Sequence, residues 1–562
     1  MALRLASALR ESLAEGYGRA ELRADVLAGA VVGVVALPLS MALAIASGVA
    51  PQHGLYTAIV AGLVIPLLGG SRVQVSGPTA AFVVILAPIA SRAGLGGLLL
   101  ATLLAGAMLV ALGAIGAGQF IEFVPHPVTT GFTSGIAVVI ATLQVKDLLG
   151  LSTGPMPEHY LDKVGVLAGS LSTTHVADVA VGAATLLVLA AWQRLTRRVP
   201  APLVALLAGA VVALGLQRAG YDAATIASRF AGGIPQRLPE LVLPWDLPGA
   251  DGEPVRLSFA LIRDLLPSAF AIAMLGAIES LLSAVVADGM TGGKHDPDAE
   301  LVAQGIGNVV VPFFGGVAAT GAIARTATSV RSGARTPVAA VVHAVAVLAA
   351  ILLLAPVLSH LPMAALSALL LFVAWNMAEI PHFARIVRTA PRSDIAVLLL
   401  CFFLTVIFDM VVSVTVGILL SAVLFMRRMA EVSGVRLAGA THRDLREPLP
   451  RGAVLYEING PLFFGAAQKA MGALETVESG VKVVILDMVA VPAIDATGLV
   501  ALESAIARLN RDGVKVILAG VGGQPLRAFA RAGWRNRKGR LRIFESFERA
   551  IDRAREHVAA AT

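Results

Sequence analysis

The chain has 562 residues, 57% hydrophobic and only 14% charged, with a net charge of +7. Soluble domains are about 45–50% apolar and about 25% charged, so a soluble enzyme, a disordered chain and a disulfide scaffold are all excluded for the chain as a whole. What remains is a polytopic membrane protein whose basic excess reflects loop placement and implies no nucleic-acid partner.

Residues 1–25 are mixed in charge, with Arg4, Arg10, Arg19 and Arg23 against Glu11, Glu15, Glu21 and Asp25. The first long apolar run starts near Val26 and is too long for a cleavable leader. Leu5, Leu9 and Leu13 recur at helical spacing and predict a short interfacial helix. From 26 to 430 the sequence divides into about fourteen apolar segments, where a full span needs about 20 residues. They lie near 26–50, 54–68, 75–90, 95–116, 125–145, 176–192, 200–216, 264–288, 300–312, 321–332, 337–356, 362–378, 394–408 and 410–427. Several are too short to cross alone. The single cysteine, Cys401, excludes an intramolecular disulfide and a cysteine metal cluster.

Three basic groups set the orientation: Arg194, Arg197 and Arg198; Arg385, Arg388 and Arg392; Arg427 and Arg428. With an even number of spans all three share a side with both termini, which the positive-inside rule makes cytoplasmic.

An internal echo points to a repeat. Leu67-Leu68-Gly69-Gly70 precedes Val75-Ser76-Gly77-Pro78-Thr79-Ala80, and Phe313-Phe314-Gly315-Gly316 precedes Ala319-Thr320-Gly321-Ala322-Ile323-Ala324. The two stretches fall seven segments apart, an odd number, so the repeats are inverted. Paired short, Gly/Pro-interrupted segments mark a transporter's binding site. A half-helix that starts at mid-membrane leaves unpaired N–H groups, which together with the helix dipole favour an anion. Two ordinary kinks in packed helices are the alternative.

Ionisable residues are rare in this part. Glu279 lies in mid-segment with no basic neighbour, and an intramembrane carboxylate reads as functional. It suits a proton or a cation, with Ser280 and Ser283 as nearby hydroxyls; Ser283, four residues on, shares its helix face. A protonated structural Glu is the alternative. Arg325 lies one turn beyond the second half-helix start, where it sets positive charge behind the pocket, pairs with Glu279, or snorkels from a span end. Glu300, Gln304 and Asn308 make a polar stripe suited to interhelical hydrogen bonding. His343 and Asp409 are isolated and receive no role.

On these stretches the chain resembles the SulP anion transporters, solute carrier family 26 in animals. The matching residues include Gly54-Leu55-Tyr56, Val75-Ser76-Gly77-Pro78-Thr79, Glu300-Leu301, Gln304-Gly305, Asn308 and Ser332-Gly333-Ala334-Arg335-Thr336. Within the family the resemblance is closest to bacterial C4-dicarboxylate transporters, on residues 36–48 and 276–282. It implies fourteen spans in two inverted seven-span repeats, core and gate domains, a homodimer and an elevator movement of the core. Carried over, the substrate site is Thr79 and Ala80 at one helix start and Gly321, Ala322 and Ile323 at the other, with Arg325 just beyond. Glu279 becomes the coupling-ion residue, with Ser283 at the position of a Thr in sodium-coupled relatives. The coupling ion is then a proton, or sodium.

Residues 431–562 carry 19 Lys+Arg and 14 Asp+Glu, the balance of an aqueous domain. Ala453–Ile458, Val483–Asp487, Val514–Ala519 and Leu541–Phe544 read as strands, the middle two buried on both faces. Helices are predicted to begin near Phe464, Thr497, Pro525 and Ser546, in an α/β layer around a mostly parallel sheet. The stretch Ile494-Asp495-Ala496-Thr497-Gly498-Leu499 resembles STAS domains, with Ala496 where anti-sigma factor antagonists carry the phosphorylated Ser. That departure argues against a phosphoswitch and leaves Thr497 to cap the helix. The cluster Arg535, Arg537, Lys538, Arg540 and Arg542 is a solvated face or a contact for anionic lipid.

The expectation is therefore an α-helical transporter with a cytoplasmic STAS domain, in a bacterial inner membrane. It takes up small anions, C4-dicarboxylates such as succinate foremost, with protons. Sodium-coupled bicarbonate transport, sulfate/chloride exchange and a membrane-anchored STAS scaffold are the alternatives. No catalytic residue, resident metal or cofactor is expected, and a cytosolic protein partner of the STAS domain is open.

Overall fold

The computed structural model describes residues 5–119, 124–154, 156–157, 159–196, 199–408, 410–432, 434–438, 445, 447–463, 467, 471–472, 474, 480–536 and 541–560. Arg197, Arg198, Asp409, Arg537, Lys538, Arg540 and the helix start near Phe464 lie outside the described residues. The chain forms two compact units, 1–418 and 419–562.

In the first unit α1 (Ser7–Ala14) precedes α2 (Arg19–Ala46), α3 (Pro51–Leu68) and the two-residue strand β1 (Ser76–Gly77). There follow α4 (Ala80–Ala114), α5 (His126–Leu148), α6 (Tyr160–Gly169), α7 (Val176–Leu195), α8 (Ala201–Arg218) and α9 (Ile226–Arg229). Then come α10 (Phe259–Thr291), α11 (Pro297–Val310), β2 (Thr320–Gly321), α12 (Ile323–Arg331), α13 (Val338–Leu358) and α14 (Met363–Met377). The series closes with α15 (Ile380–Thr389) and α16 (Arg392–Ile407), and the helix α17 (Met410–Val432) spans the boundary at residue 418. Every apolar segment of the sequence coincides with a helix or an arm of one, and among the described residues nine helices are long and apolar enough to cross a membrane. The third and fourth segments are the two arms of α4. Gly94, at φ 69°, breaks that helix, a conformation open to glycine because it lacks a Cβ.

The predicted N-terminal helix is α1, but its buried residues are Ser7, Ala8 and Ser12, whereas Leu13 is exposed. Small residues face the protein here. The Ala6 and Ala8 amides donate to the Leu68 and Gly69 carbonyls at the end of α3. Arg72 adds a bidentate pair to Glu15, at 2.5 and 2.6 Å.

The helices sort into two sets by packing. In one, α2, α3, α4, α10, α11, α12 and α13 pack on one another; in the other, α5, α7, α8, α14 and α16 do so. Small residues set the seam between α4 and α11, where Gly106 lies against Gly305. In a bilayer such residues let backbones touch, and packing replaces the hydrophobic drive.

The second unit contains a five-stranded sheet in the order β3 (Gly434–Ala438), β4 (Ala453–Asn459), β5 (Val483–Asp487), β6 (Lys515–Ala519) and β7 (Leu541–Ile543). The β3–β4 pair is antiparallel and the rest are parallel. All five residues of β5 are buried, and four of five in β6. Helices α18 (Ala496–Arg511) and α19 (Gly523–Arg531) pack with one apolar cluster and α20 (Phe547–Ala559) with the other. Two sequence expectations change. Strand β3, five residues of partly exposed edge, was not anticipated. The cap of α18 is Asp495, whose carboxylate accepts the Gly498 N–H at 2.7 Å, not Thr497, which lies in the first turn. Asp495 holds the N-cap position, from which a side-chain oxygen reaches the first-turn N–H groups, whereas Thr497 is already inside the helix.

Candidate functional site

The two echoing stretches meet in space. β1 pairs antiparallel with β2, Ser76 opposite Gly321 and Gly77 opposite Thr320. From this ribbon α4 and α12 depart, with Thr79 and Ala322 as their N-cap residues. Thr79, Ala80, Gly321 and Ala322 are buried, whereas Ile323 is 37% exposed.

Neither helix start has a side-chain cap. Thr79 is a natural capping residue, yet its hydroxyl donates to Glu279 Oε2 at 2.8 Å. The first-turn N–H groups of α4 and α12 are therefore left without side-chain acceptors, a ready anion site. One proposed donor is already used: the Ala322 N–H donates to the Val75 carbonyl at 2.9 Å, extending the ribbon.

Arg325 is 4% exposed and its Nη2 donates to the Pro78 carbonyl, at the far side of the ribbon from its own helix start. Its Nη1 is buried without a partner. It makes no ion pair with Glu279 within 4 Å but lies close enough for the two charges to interact, and its burial sets the snorkelling aside. A Cβ at Gly77 would meet Arg325 Nη1 and one at Gly321 would meet Gln74 Nε2, so a substitution at either position would displace those side chains.

Ser283 shares a helix with Glu279, but its hydroxyl donates to Thr326 Oγ1 at 3.0 Å. Thr326 Oγ1 also accepts the Val75 N–H at 3.1 Å. Ser280 accepts from Gln74 at 3.2 Å. The hydroxyl at Glu279 is thus Thr79, and helical spacing alone had pointed to the serines.

The polar stripe of α11 clamps the junction. Glu300 Oε2 accepts the Gly70 and Ser71 N–H groups at 3.0 and 3.2 Å, and Oε1 accepts from Gln74 and Gln304 at 3.0 Å each. Gln304 also donates to Ser76 at 2.8 Å. Asn308 exchanges two bonds of 2.8 Å with the Ala319 main chain. Both approaches to the helix starts are therefore tied to one helix, a more specific role than generic interhelical bonding.

Two residues went unrecognised in the sequence. Gln74 joins the Glu300 clamp, and nothing in its neighbourhood along the chain signals this. Asp25, read as one charge of a mixed segment, is fully buried in α2 and accepts from Arg335 N, Thr336 N and Thr336 Oγ1 at 2.7, 3.2 and 2.5 Å. His343 is buried with no ring hydrogen bond.

Residues 22–401 match the Sulfate permease family and residues 448–550 the STAS domain. A putative sulfate transporter of Bacillus subtilis, YvdB, is 40% identical over 89% of this chain and 92% of its own length. The bicarbonate transporter BicA of Picosynechococcus is 28% identical, over 86% of each chain. The fold of SLC26A9 superposes with a TM-score of 0.82 over 98% of this chain and 93% of that one, at 19% identity. The transmembrane domain of a cyanobacterial BicA gives a TM-score of 0.61 at 26% identity, over 72% of this chain and 98% of that one. The chain belongs to the Sulfate permease, or SulP, family and is a multi-pass membrane anion transporter, not an enzyme, with a C-terminal STAS domain.

Proposed function

We propose that this transporter takes up small dicarboxylates together with protons, Glu279 carrying the proton. The observation that supports this is the hydrogen bond from Thr79 to Glu279, which joins the mid-helix acid of α10 to an uncapped helix start. An ionised carboxylate beside that start repels an arriving anion, and a protonated one does not. Anion and proton then bind better together than apart, and this mutual preference is the requirement for symport. Ser283 is engaged with Thr326, leaving Glu279 one hydroxyl neighbour. A proton needs no larger ring of oxygens, whereas sodium does.

In this reading the substrate sits between the starts of α4 and α12, at Thr79, Ala80, Gly321 and Ile323, with Arg325 behind. The α2–α4/α10–α13 set moves as an elevator against the other. The protein works as a homodimer, with both termini cytoplasmic. The names of the relatives favour sulfate and bicarbonate as the second reading.

The test is uptake of labelled succinate, sulfate and bicarbonate into proteoliposomes under an imposed pH gradient or a sodium gradient. Succinate accumulation driven by the pH gradient alone is expected. Dependence on sodium, or accumulation of only sulfate or bicarbonate, overturns the proposal. Arg325→Gln is expected to weaken succinate binding by roughly tenfold or more, since a charge-assisted hydrogen bond contributes about 1.5–3 kcal/mol. Saturation of uptake against succinate concentration measures it, and an unchanged KM removes Arg325 from the site.

A further inference from the structure

We propose that His343 is a positioning residue for Arg325: its ring accepts, through one ordered water, from the guanidinium nitrogen that the protein otherwise leaves without a partner. This role rests on the reading that places Arg325 behind the anion site.

His343 lies in the second turn of α13 and is fully buried. A neutral imidazole carries one N–H donor and one lone-pair acceptor. Neither ring nitrogen meets a partner at hydrogen-bonding geometry. The Ala340 carbonyl, three residues back, faces the ring and suits its N–H. The lone pair on the other nitrogen then has no donor. Arg325 has the reverse deficit. Its Nη2 donates to the Pro78 carbonyl, whereas Nη1 is buried with no acceptor. Glu279 does not fill that gap, since its carboxylate accepts from Thr79 and makes no ion pair with Arg325 within 4 Å. Buried polar groups are rarely left unpaired, because losing water without a replacement is costly.

One face of α3 brings the two deficits together. Ala58 and Gly62, four residues apart, share that face. A Cβ at Gly62 would stand 3.3 Å from His343 Nδ1. A Cβ at Gly77 would meet Arg325 Nη1 and stand 3.7 Å from the Ala58 Cα. The ring and the guanidinium therefore lie against neighbouring turns of α3, near enough for their charges to interact and too far apart for a direct hydrogen bond. A buried water joins polar groups in that situation, and such a bridge is nearly as favourable as a direct bond. The ring then sets the direction of the guanidinium, and with it the positive charge presented at the helix starts.

The test uses the full chain in proteoliposomes and whichever of labelled succinate, sulfate and bicarbonate it carries, with KM and maximal rate measured separately. His343→Leu and His343→Met remove the acceptor, and His343→Gln keeps a donor and an acceptor. The two apolar variants are expected to raise KM roughly threefold to tenfold, the range that one hydrogen bond contributes, with the maximal rate held. His343→Gln is expected to stay near the wild-type KM. The melting temperature of the apolar variants is expected not to fall, because replacing a poorly paired buried polar group by an apolar one removes a desolvation cost. In the Arg325→Gln background His343→Leu is expected to add nothing, since no guanidinium is left to aim. An unchanged KM in both apolar variants, an equal rise in both backgrounds, or a rise in His343→Gln as large as in His343→Leu overturns the proposal. Failure of both apolar variants to fold does so too, by making His343 a packing residue. An unchanged KM in Arg325→Gln sinks the reading of Arg325 itself. A raised KM there with no effect of the His343 variants sinks only the role of His343.

Discussion

Glu279→Gln is expected to flatten the pH dependence of substrate affinity. In the wild type, apparent affinity for succinate should weaken as pH rises, because ionised Glu279 repels the anion at the adjoining helix start. Coupling between two bound ligands is typically worth about 5- to 150-fold in affinity, and that factor is the expected difference between the two ends of the profile. Glutamine preserves the shape and still accepts the Thr79 hydroxyl, so the helix start keeps its geometry. The variant should therefore bind succinate at all pH values, exchange labelled for unlabelled substrate, and fail to accumulate it under a pH gradient. Counterflow and gradient-driven uptake on the same proteoliposomes separate the two. Normal accumulation by Glu279→Gln sinks the assignment, and loss of exchange as well would mean that the acid is structural.

Glu300→Ala should have the largest effect on stability. The carboxylate is 1% exposed and accepts five hydrogen bonds, from Gly70, Ser71, Gln74, Ser280 and Gln304. Alanine leaves two main-chain N–H groups, two carboxamides and the Ser280 hydroxyl buried without that acceptor. Each buried donor left without an acceptor in this way costs about 1–3 kcal/mol. Thermal unfolding of purified protein should show a clear fall for Glu300→Ala and a smaller one for Glu300→Gln, which retains one acceptor oxygen. An unchanged melting temperature in both would mean that the clamp does not hold the ribbon.

What could be read from the chain depended on range. The half-helices were legible because each is announced by a Gly pair and a hydroxyl-Gly turn within about a dozen residues, and because start residues without caps follow local rules. The clamp was only half legible. Glu300, Gln304 and Asn308 share a helix face by spacing, but their partners at residues 70–76 and 319 belong to other segments. Ser283 shows how spacing misleads: one helix face is broad enough to point two side chains at different neighbours, and α12 claimed this one through Thr326. Asp25 was hidden for the opposite reason. It lies at the end of a stretch of mixed charge that reads as surface, and the arrival of Arg335 and Thr336, 310 and 311 residues away, makes its burial tolerable.

The sequence by itself determined that this is a membrane protein with an aqueous α/β tail, and where the paired helix starts and the mid-segment acid Glu279 lie along it. Scarcity of charge, hydrophobic period and Gly-bearing breaks are properties of short stretches, and they survive any arrangement of the chain. Only the tertiary structure decided that β1 pairs with β2, that Thr79 serves Glu279 instead of capping its own helix, and that Arg325 reaches across to Pro78. Each of those links joins residues 200 or more positions apart. Hydrogen bonds at that range are selected by which helices pack side by side, and packing depends on surface shape that no single segment carries.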